Sequence, residues 1–177
     1  MKEKIKQGLI LLMSIVGLVA VDQGVKVWAV EHLKGRSAIA IWPNVFELSY
    51  VENRGAAFGM LQGQRNLFAV LTISVILVLI FVYFRLQTDR KFRLTRICVL
   101  GIMAGAIGNL IDRIWLHYVV DMFYFKLIDF PVFNVADCYV VVSAFLFCFA
   151  VILQKNLLDD ITDRVSGKDR KDNGTEV

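Results

Sequence analysis

Asn66–Phe84 reads NLFAVLTISVILVLIFVYF, an apolar stretch with no Asp, Glu, Lys or Arg. A membrane-spanning helix needs about 20 predominantly apolar residues, and this stretch approaches that length unaided. Gln7–Val21, Ile97–Ile111 and Cys138–Gln154 also lack acidic and basic residues. The first and third reach spanning length by taking in polar residues at one end, Asp22 and Lys26 in one case and Asp112 in the other. At 57% hydrophobic and 20% charged over 177 residues, the chain is too apolar for an ordinary soluble domain. The sequence predicts an all-α membrane protein with four transmembrane helices, at about 8–30, 66–84, 97–115 and 137–155. What remains is too small for a second core. Residues 1–158 are therefore expected to form one membrane domain, and 159–177 a polar tail that begins as a short helix and ends disordered.

Basic residues set the orientation. Lys2, Lys4 and Lys6 precede the first span, Arg85, Arg90, Lys91, Arg93 and Arg96 crowd the loop between the second and third, and Lys155 follows the fourth. With four spans these segments share one side, which the positive-inside rule makes cytoplasmic, with both termini. Loops 31–65 and 116–136 then lie outside. The N-terminal KEKIK before an apolar run also fits a cleavable signal, but no A-x-A-like site follows it. The net charge of +4 is assigned to contacts with anionic lipid headgroups, not to nucleic acid, for which no motif is present. Cys98, Cys138 and Cys148 fall in or at the spans, odd in number, and are expected to be reduced packing residues.

Carboxylates intrude on the spans near the outer side: Asp22, Asp112, Asp121 and Asp137. A charge at a helix centre costs about 2.5–3.5 kcal/mol on insertion scales, so four acids gathered on one side point to a site. Asp22 and Lys26, four apart, share a helix face; they fit a structural ion pair or support for a neighbouring reactive group. In Val45–Val51, Phe46, Leu48 and Tyr50 alternate with Glu47 and Ser49, which predicts a strand in a small extracytoplasmic β-sheet. Glu52-Asn53-Arg54-Gly55-Ala56-Ala57-Phe58-Gly59 follows, with glycines suited to a turn or to close approach of a ligand. Gly101 and Gly105 form a G-x-x-x-G pattern for close helix packing. Asn109, Asp112 and Arg113 continue beside Gly108 on that helix, as an interhelical lock or as part of a reactive site. The aromatic segment from Trp115 to Phe125 suits a short interfacial helix. Asp121 stands there among apolar neighbours, a setting that raises a carboxyl pKa. Asn134 is placed to cap the last helix, with Asp137 in its first turn.

The blocks Val21-Asp22-Gln23 with Lys26, Asn53-Arg54-Gly55-Ala56-Ala57-Phe58-Gly59, Gly108-Asn109-Leu110-Ile111-Asp112-Arg113, Val119-Val120-Asp121 and Phe133-Asn134-Val135-Ala136-Asp137 resemble the bacterial lipoprotein signal peptidases (signal peptidase II). They occur in that family's order and span nearly the whole chain from the first helix to the start of the fourth. The resemblance implies an aspartyl endopeptidase of the bacterial cytoplasmic membrane, with its active site toward the outer face. It also implies cleavage of diacylglyceryl-modified prolipoproteins just before the lipid-bearing cysteine. By motif position Asp121 and Asp137 correspond to the catalytic pair. Asp22, Lys26, Asn53, Arg54, Gly108, Asn109, Asp112, Arg113 and Asn134 correspond to supporting or substrate-binding residues. Cys138 departs from the serine or alanine frequent at its place, and no chemistry is assigned to it.

A carboxylate pair hydrolyses a peptide when one partner is ionised and the other protonated. Asp137, at a helix N-terminus, is the expected anion, and Asp121, among valines and aromatics, the expected acid. Asn53 and Arg54 are candidates for holding substrate backbone or a phospholipid headgroup, or for part of a lid. No H-E-x-x-H or G-x-S-x-G motif is present and His32 and His117 stand far apart, so no metal or cofactor is expected. A proton-coupled transporter is the rival reading, but Gly8–Ile15, Leu77–Phe84, Ile97–Ala104 and Cys148–Gln154 carry no charge, leaving no polar track across the bilayer. The expected partners are prolipoprotein substrates and membrane phospholipid, and the protein is expected to act as a monomer.

Overall fold

The structure, a computed structural model, describes residues 2–55, 65–86, 90–154 and 156–167. Ala56–Gly59, Lys155 and the end of the tail lie outside these residues. Helix α1 (Lys2–Leu33) is followed by strands β1 (Ile39–Trp42) and β2 (Phe46–Asn53), then helices α2 (Arg65–Arg85) and α3 (Arg93–Trp115). Strand β3 (Val119–Tyr124), helix α4 (Val135–Leu153) and the short helix α5 (Leu157–Ser166) complete the order. Among the described residues α1, α3 and α4 are long and apolar enough to cross a membrane, while the apolar run of α2, Ala69–Arg85, is shorter. Large hydrophobic side chains such as Met13, Val70, Leu77, Phe145 and Ile152 point outward from the bundle. A belt of this kind belongs in lipid, since water-soluble surfaces do not carry apolar patches that large.

Helix α3 is the hub and packs against α1, α2 and α4. Its glycines allow the approach: a Cβ at Gly105 would collide with the Ala136 carbonyl oxygen, and one at Gly108 would lie 2.5 Å from Asp22 Oδ2. At one end of the bundle Leu86, Phe92, Ala150 and Leu157 cluster beneath α5. At the other end the three strands form an antiparallel sheet in the order β1-β2-β3. Ala29 and Leu33 of α1 pack there against Val120 and Met122 of β3. The sheet is thereby fixed over the end of α1.

The predicted strand at Val45–Val51 is β2, which runs on two residues further at its C-terminal end. The predicted interfacial helix is not formed. Most of the aromatic segment is instead β3, paired with β2 so that Asn53 faces Val119 and Glu47 faces Tyr124. The β-branched Val119 and Val120 and the aromatic Phe123 and Tyr124 suit a pleated surface, and β2 offers an edge to pair with. Helical geometry in this loop is confined, among the described residues, to a 3-10 turn at Lys126–Ile128. Arg96 also differs from its expected place in the loop between the second and third spans. It is buried inside α3, with its guanidinium 4.1 Å above the Tyr83 ring and Nη1 donating to the Leu86 carbonyl at 3.0 Å. The α2 C-terminus thus gains a cationic cap.

Candidate active site

Two carboxylates face one cavity near the sheet. Asp121 projects from the middle of β3 and is buried, and Asp137 lies in the first turn of α4. That turn is shaped by a reciprocal capping box: Asn134 Oδ1 accepts from the Asp137 amide at 3.0 Å, and Asp137 Oδ2 accepts from the Asn134 amide at 3.2 Å. Capping of this kind satisfies helix N–H groups that would otherwise be orphaned. It also fixes where Asn134 points its amide nitrogen, which donates to Asp121 Oδ1 at 2.6 Å.

Neutral amides complete the arrangement. Asn53 Nδ2 donates to Asp121 Oδ2 at 2.9 Å, and Asn109 Nδ2 donates to Asp137 Oδ1 at 2.8 Å. Asn53 is itself steadied by the Gly55 amide, which donates to its Oδ1 at 3.1 Å. Burial is the largest influence on the Asp121 carboxyl and pushes it up to about 7; the Asn53 and Asn134 donors oppose that shift, and the Asp137 charge adds to it. A proton near neutral pH is therefore within reach of this pair.

Behind the pair lies a second cluster, with a full cation at its centre. Lys26 Nζ sits 3.0 Å from Asp22 and 3.0 Å from Asp112, all three side chains buried. The same ammonium donates to Asn109 Oδ1 at 3.0 Å, and Asn134 Nδ2 meets that oxygen at 3.1 Å. Each carboxylate also anchors backbone: Asp22 Oδ1 accepts from the Ala136 amide at 2.9 Å, and Asp112 Oδ2 from the Val120 amide at 3.1 Å. These two bonds hold the residues next to Asp137 and Asp121 respectively. The cluster sets the spacing of the two elements that carry the pair.

Of the residues singled out from sequence, Asp22, Lys26, Asn53, Asn109, Asp112, Asp121, Asn134 and Asp137 thus form one continuous network, and Gly108 gives Asp22 room. Arg113 lines the cavity and donates through Nη1 to the Asn109 carbonyl at 3.4 Å. Arg54 lies apart, at the rim, bonded to Glu52. Sequence reasoning assigned no role to Gln23, whose Nε2 reaches Asp22 Oδ2, the Gly108 carbonyl and Asp112 Oδ1 at 2.9–3.2 Å. Its place beside Asp22 in the Val21-Asp22-Gln23 block was the available signal. The sequence likewise assigns no role to Glu52.

The cavity encloses about 870 Å³. Asn53, Arg54, Arg113, Asp121 and Asp137 supply a polar corner, while Val51, Phe125, Ile128, Phe130, Phe133, Val141 and Val142 supply apolar wall. A chain segment with polar backbone and greasy substituents fits this division better than a small polar solute does. Among the described residues no group of three or more His, Cys, Asp or Glu side chains is arranged to hold a metal ion.

A family model described as signal peptidase (SPase) II matches residues 14–153, the stretch that contains the whole network. The chain belongs to the signal peptidase II family. It is 41% identical over 141 residues to a lipoprotein signal peptidase of Clostridioides difficile, covering 80% of this chain and 93% of that one. A lipoprotein signal peptidase of Streptococcus thermophilus is 39% identical over 143 residues, covering 81% and 92% of the two chains. A solved bacterial membrane enzyme superposes with a TM-score of 0.70 at 26% identity, covering 95% of this chain and 94% of the other. A second superposes with a TM-score of 0.69 at 28% identity, covering 80% and 92%. Family membership and apolar helices together make this a membrane protein of a peptidase family.

Proposed function

We propose that the protein is an aspartyl endopeptidase that removes the signal peptide from diacylglyceryl-modified prolipoproteins, cutting just before the lipid-bearing cysteine. One observation carries the chemistry: Asp121 and Asp137 line a single cavity, tied through Asn134 and Asn109, with the Asp121 carboxyl pushed up to about 7. The relatives' name, lipoprotein signal peptidase, supports the substrate class.

Asp137 acts as the base. It takes a proton from a water molecule as the water oxygen attacks the scissile carbonyl carbon, and protonated Asp121 gives its proton to the developing oxyanion. Collapse of the tetrahedral intermediate breaks the C–N bond. The proton held on Asp137 passes to the leaving amine, and the hydroxyl proton returns to Asp121, so the pair ends as it began. Asn53, Asn109 and Asn134 orient the two carboxylates, Asp22, Lys26, Gly108 and Asp112 hold the elements that carry them, and Arg54 and Arg113 bind substrate.

The chain is proposed to span the cytoplasmic membrane four times, with α2 as the remaining span. Both termini lie in the cytoplasm and the sheet and cavity at the outer face. The outward apolar belt and the basic residues around Arg85–Arg96 support that orientation. Residues 1–158 form the membrane domain, which acts as a monomer amid phospholipid. Acyl chains of the substrate lie against the apolar wall and the bundle, each buried methylene contributing about 0.8 kcal/mol. The test is a cleavage assay in detergent on a diacylglyceryl-modified prolipoprotein peptide and its unlipidated twin, with the product mass locating the cut. Cutting of the lipidated peptide alone, before its cysteine, is expected. Equal cutting of both peptides, or of neither, contradicts the proposal.

A further inference from the structure

The cavity rim carries a charged cluster that the two carboxylates do not use. Glu52, near the end of β2, receives three partners on one carboxylate. Arg54 Nη2 donates to its Oε2 at 2.9 Å, Lys34 Nζ to its Oε1 at 3.0 Å, and the Tyr50 hydroxyl lies 3.3 Å from Oε1. The Tyr118 ring completes the cluster, with the Arg54 guanidinium 5.7 Å and the Lys34 ammonium 6.0 Å from its centroid. Both Glu52 and Arg54 line the cavity. One carboxylate shared by two cations leaves the cluster one net positive charge.

The Arg54 side chain is 68% exposed. An arginine so exposed loses much rotamer freedom when it binds anything, unless something already holds it. Glu52 and the Tyr118 ring do so, through a charge-assisted hydrogen bond and a cation–π contact. A guanidinium carries five N–H donors and no acceptor, so what Arg54 offers the cavity is N–H groups for carbonyl oxygens. An extended peptide crossing the rim toward Asp121 and Asp137 presents such oxygens along its backbone.

We propose that Glu52 is a positioning residue of the peptidase: it holds the Arg54 guanidinium at the cavity rim, ready to bind carbonyl oxygens of the substrate backbone. The inference rests on the proposed function and adds a residue to it. Because Arg54 takes no part in breaking the bond, its contacts stabilise bound substrate and transition state alike. The signature is a rise in KM at unchanged kcat.

The experiment measures kcat and KM for the lipidated prolipoprotein peptide with the wild type, Glu52→Gln, Arg54→Ala and the double variant, each checked for folding by its thermal midpoint. Each single substitution is expected to raise KM by about five- to tenfold with kcat within about twofold. The double variant should be no worse than Arg54→Ala, since Glu52 acts through Arg54. Additive effects, a fall in kcat at constant KM, or an unchanged Glu52→Gln enzyme would overturn the positioning role. A folded wild type that does not cut the lipidated peptide would overturn the peptidase reading itself, and the inference with it.

Discussion

Two pairs of aspartates stand back to back in this protein, one built around a lysine ammonium and the other around asparagine side-chain amides. Asp22 and Asp112 share the Lys26 ammonium at 3.0 Å each. Asp121 and Asp137 are held by the neutral side-chain amides of Asn53, Asn134 and Asn109. A cation fixes a carboxylate as an anion and ties it to a geometry, whereas an amide orients it and leaves room for a proton. The first pair joins α1, α3 and the backbone beside the second pair. The second opens onto a cavity. On the proposed function, the same residue type is thus made structural where a lysine ammonium is shared between the two carboxylates and reactive where side-chain amides orient them.

The largest effects are expected from substitution in the Asp121–Asp137 pair. Asp121→Asn and Asp137→Asn should each lower kcat by about 10³-fold or more while the protein stays folded, since a general acid or base contributes about 10²–10⁴. Steady-state cleavage of the lipidated peptide measures this. Substitution of Lys26, the cation of the Asp22–Asp112 pair, should act on stability. Lys26→Met leaves two buried carboxylates without their cation and should cost about 3–5 kcal/mol, seen as a lowered thermal midpoint in detergent.

Smaller effects sharpen the contrast. The Asp121 carboxyl sits at about 7 against an ordinary 3.8, so it holds its proton below that pH and loses it above. Wild-type kcat/KM should therefore fall as the pH rises through about 7. By linkage, the stability contributed by this raised value is fully present below 3.8 and lost as the pH rises through about 7. The Asn53 donor lowers the Asp121 value, so Asn53→Ala should move the alkaline limb of the pH profile upward and cut kcat/KM by about tenfold. Cys138→Ser should change kcat/KM by less than about twofold, since the thiol lines the cavity without bonding either carboxylate.

Much of this was legible in the chain, for local reasons. The Asp22–Lys26 pair follows from four-residue helical spacing, and the Asn134–Asp137 cap from its place before an apolar run. β2 follows from its alternation. What the sequence concealed depends on partners distant along the chain. β3 looked like a surface helix because its strand character is completed only by the edge of β2, from which Asn53 reaches Asp121. Asn109 could be read as a helix lock or as a reactive-site residue. It is placed between Lys26 and Asp137, so it touches both clusters, and no spacing rule shows that. Arg96 is grouped with the basic loop in the sequence because a run of basic residues hides which one turns inward.

The most direct test of the contrast is the carboxylic-acid C=O stretching band in infrared spectra of the purified protein, recorded below and above the Asp121 value of about 7. The expected band is present at the lower pH, lost at the higher, absent in Asp121→Asn and retained in Asp137→Asn. A band that survives in Asp121→Asn and vanishes in Asp137→Asn would place the proton on the other carboxylate. No band at either pH would contradict a shared proton altogether.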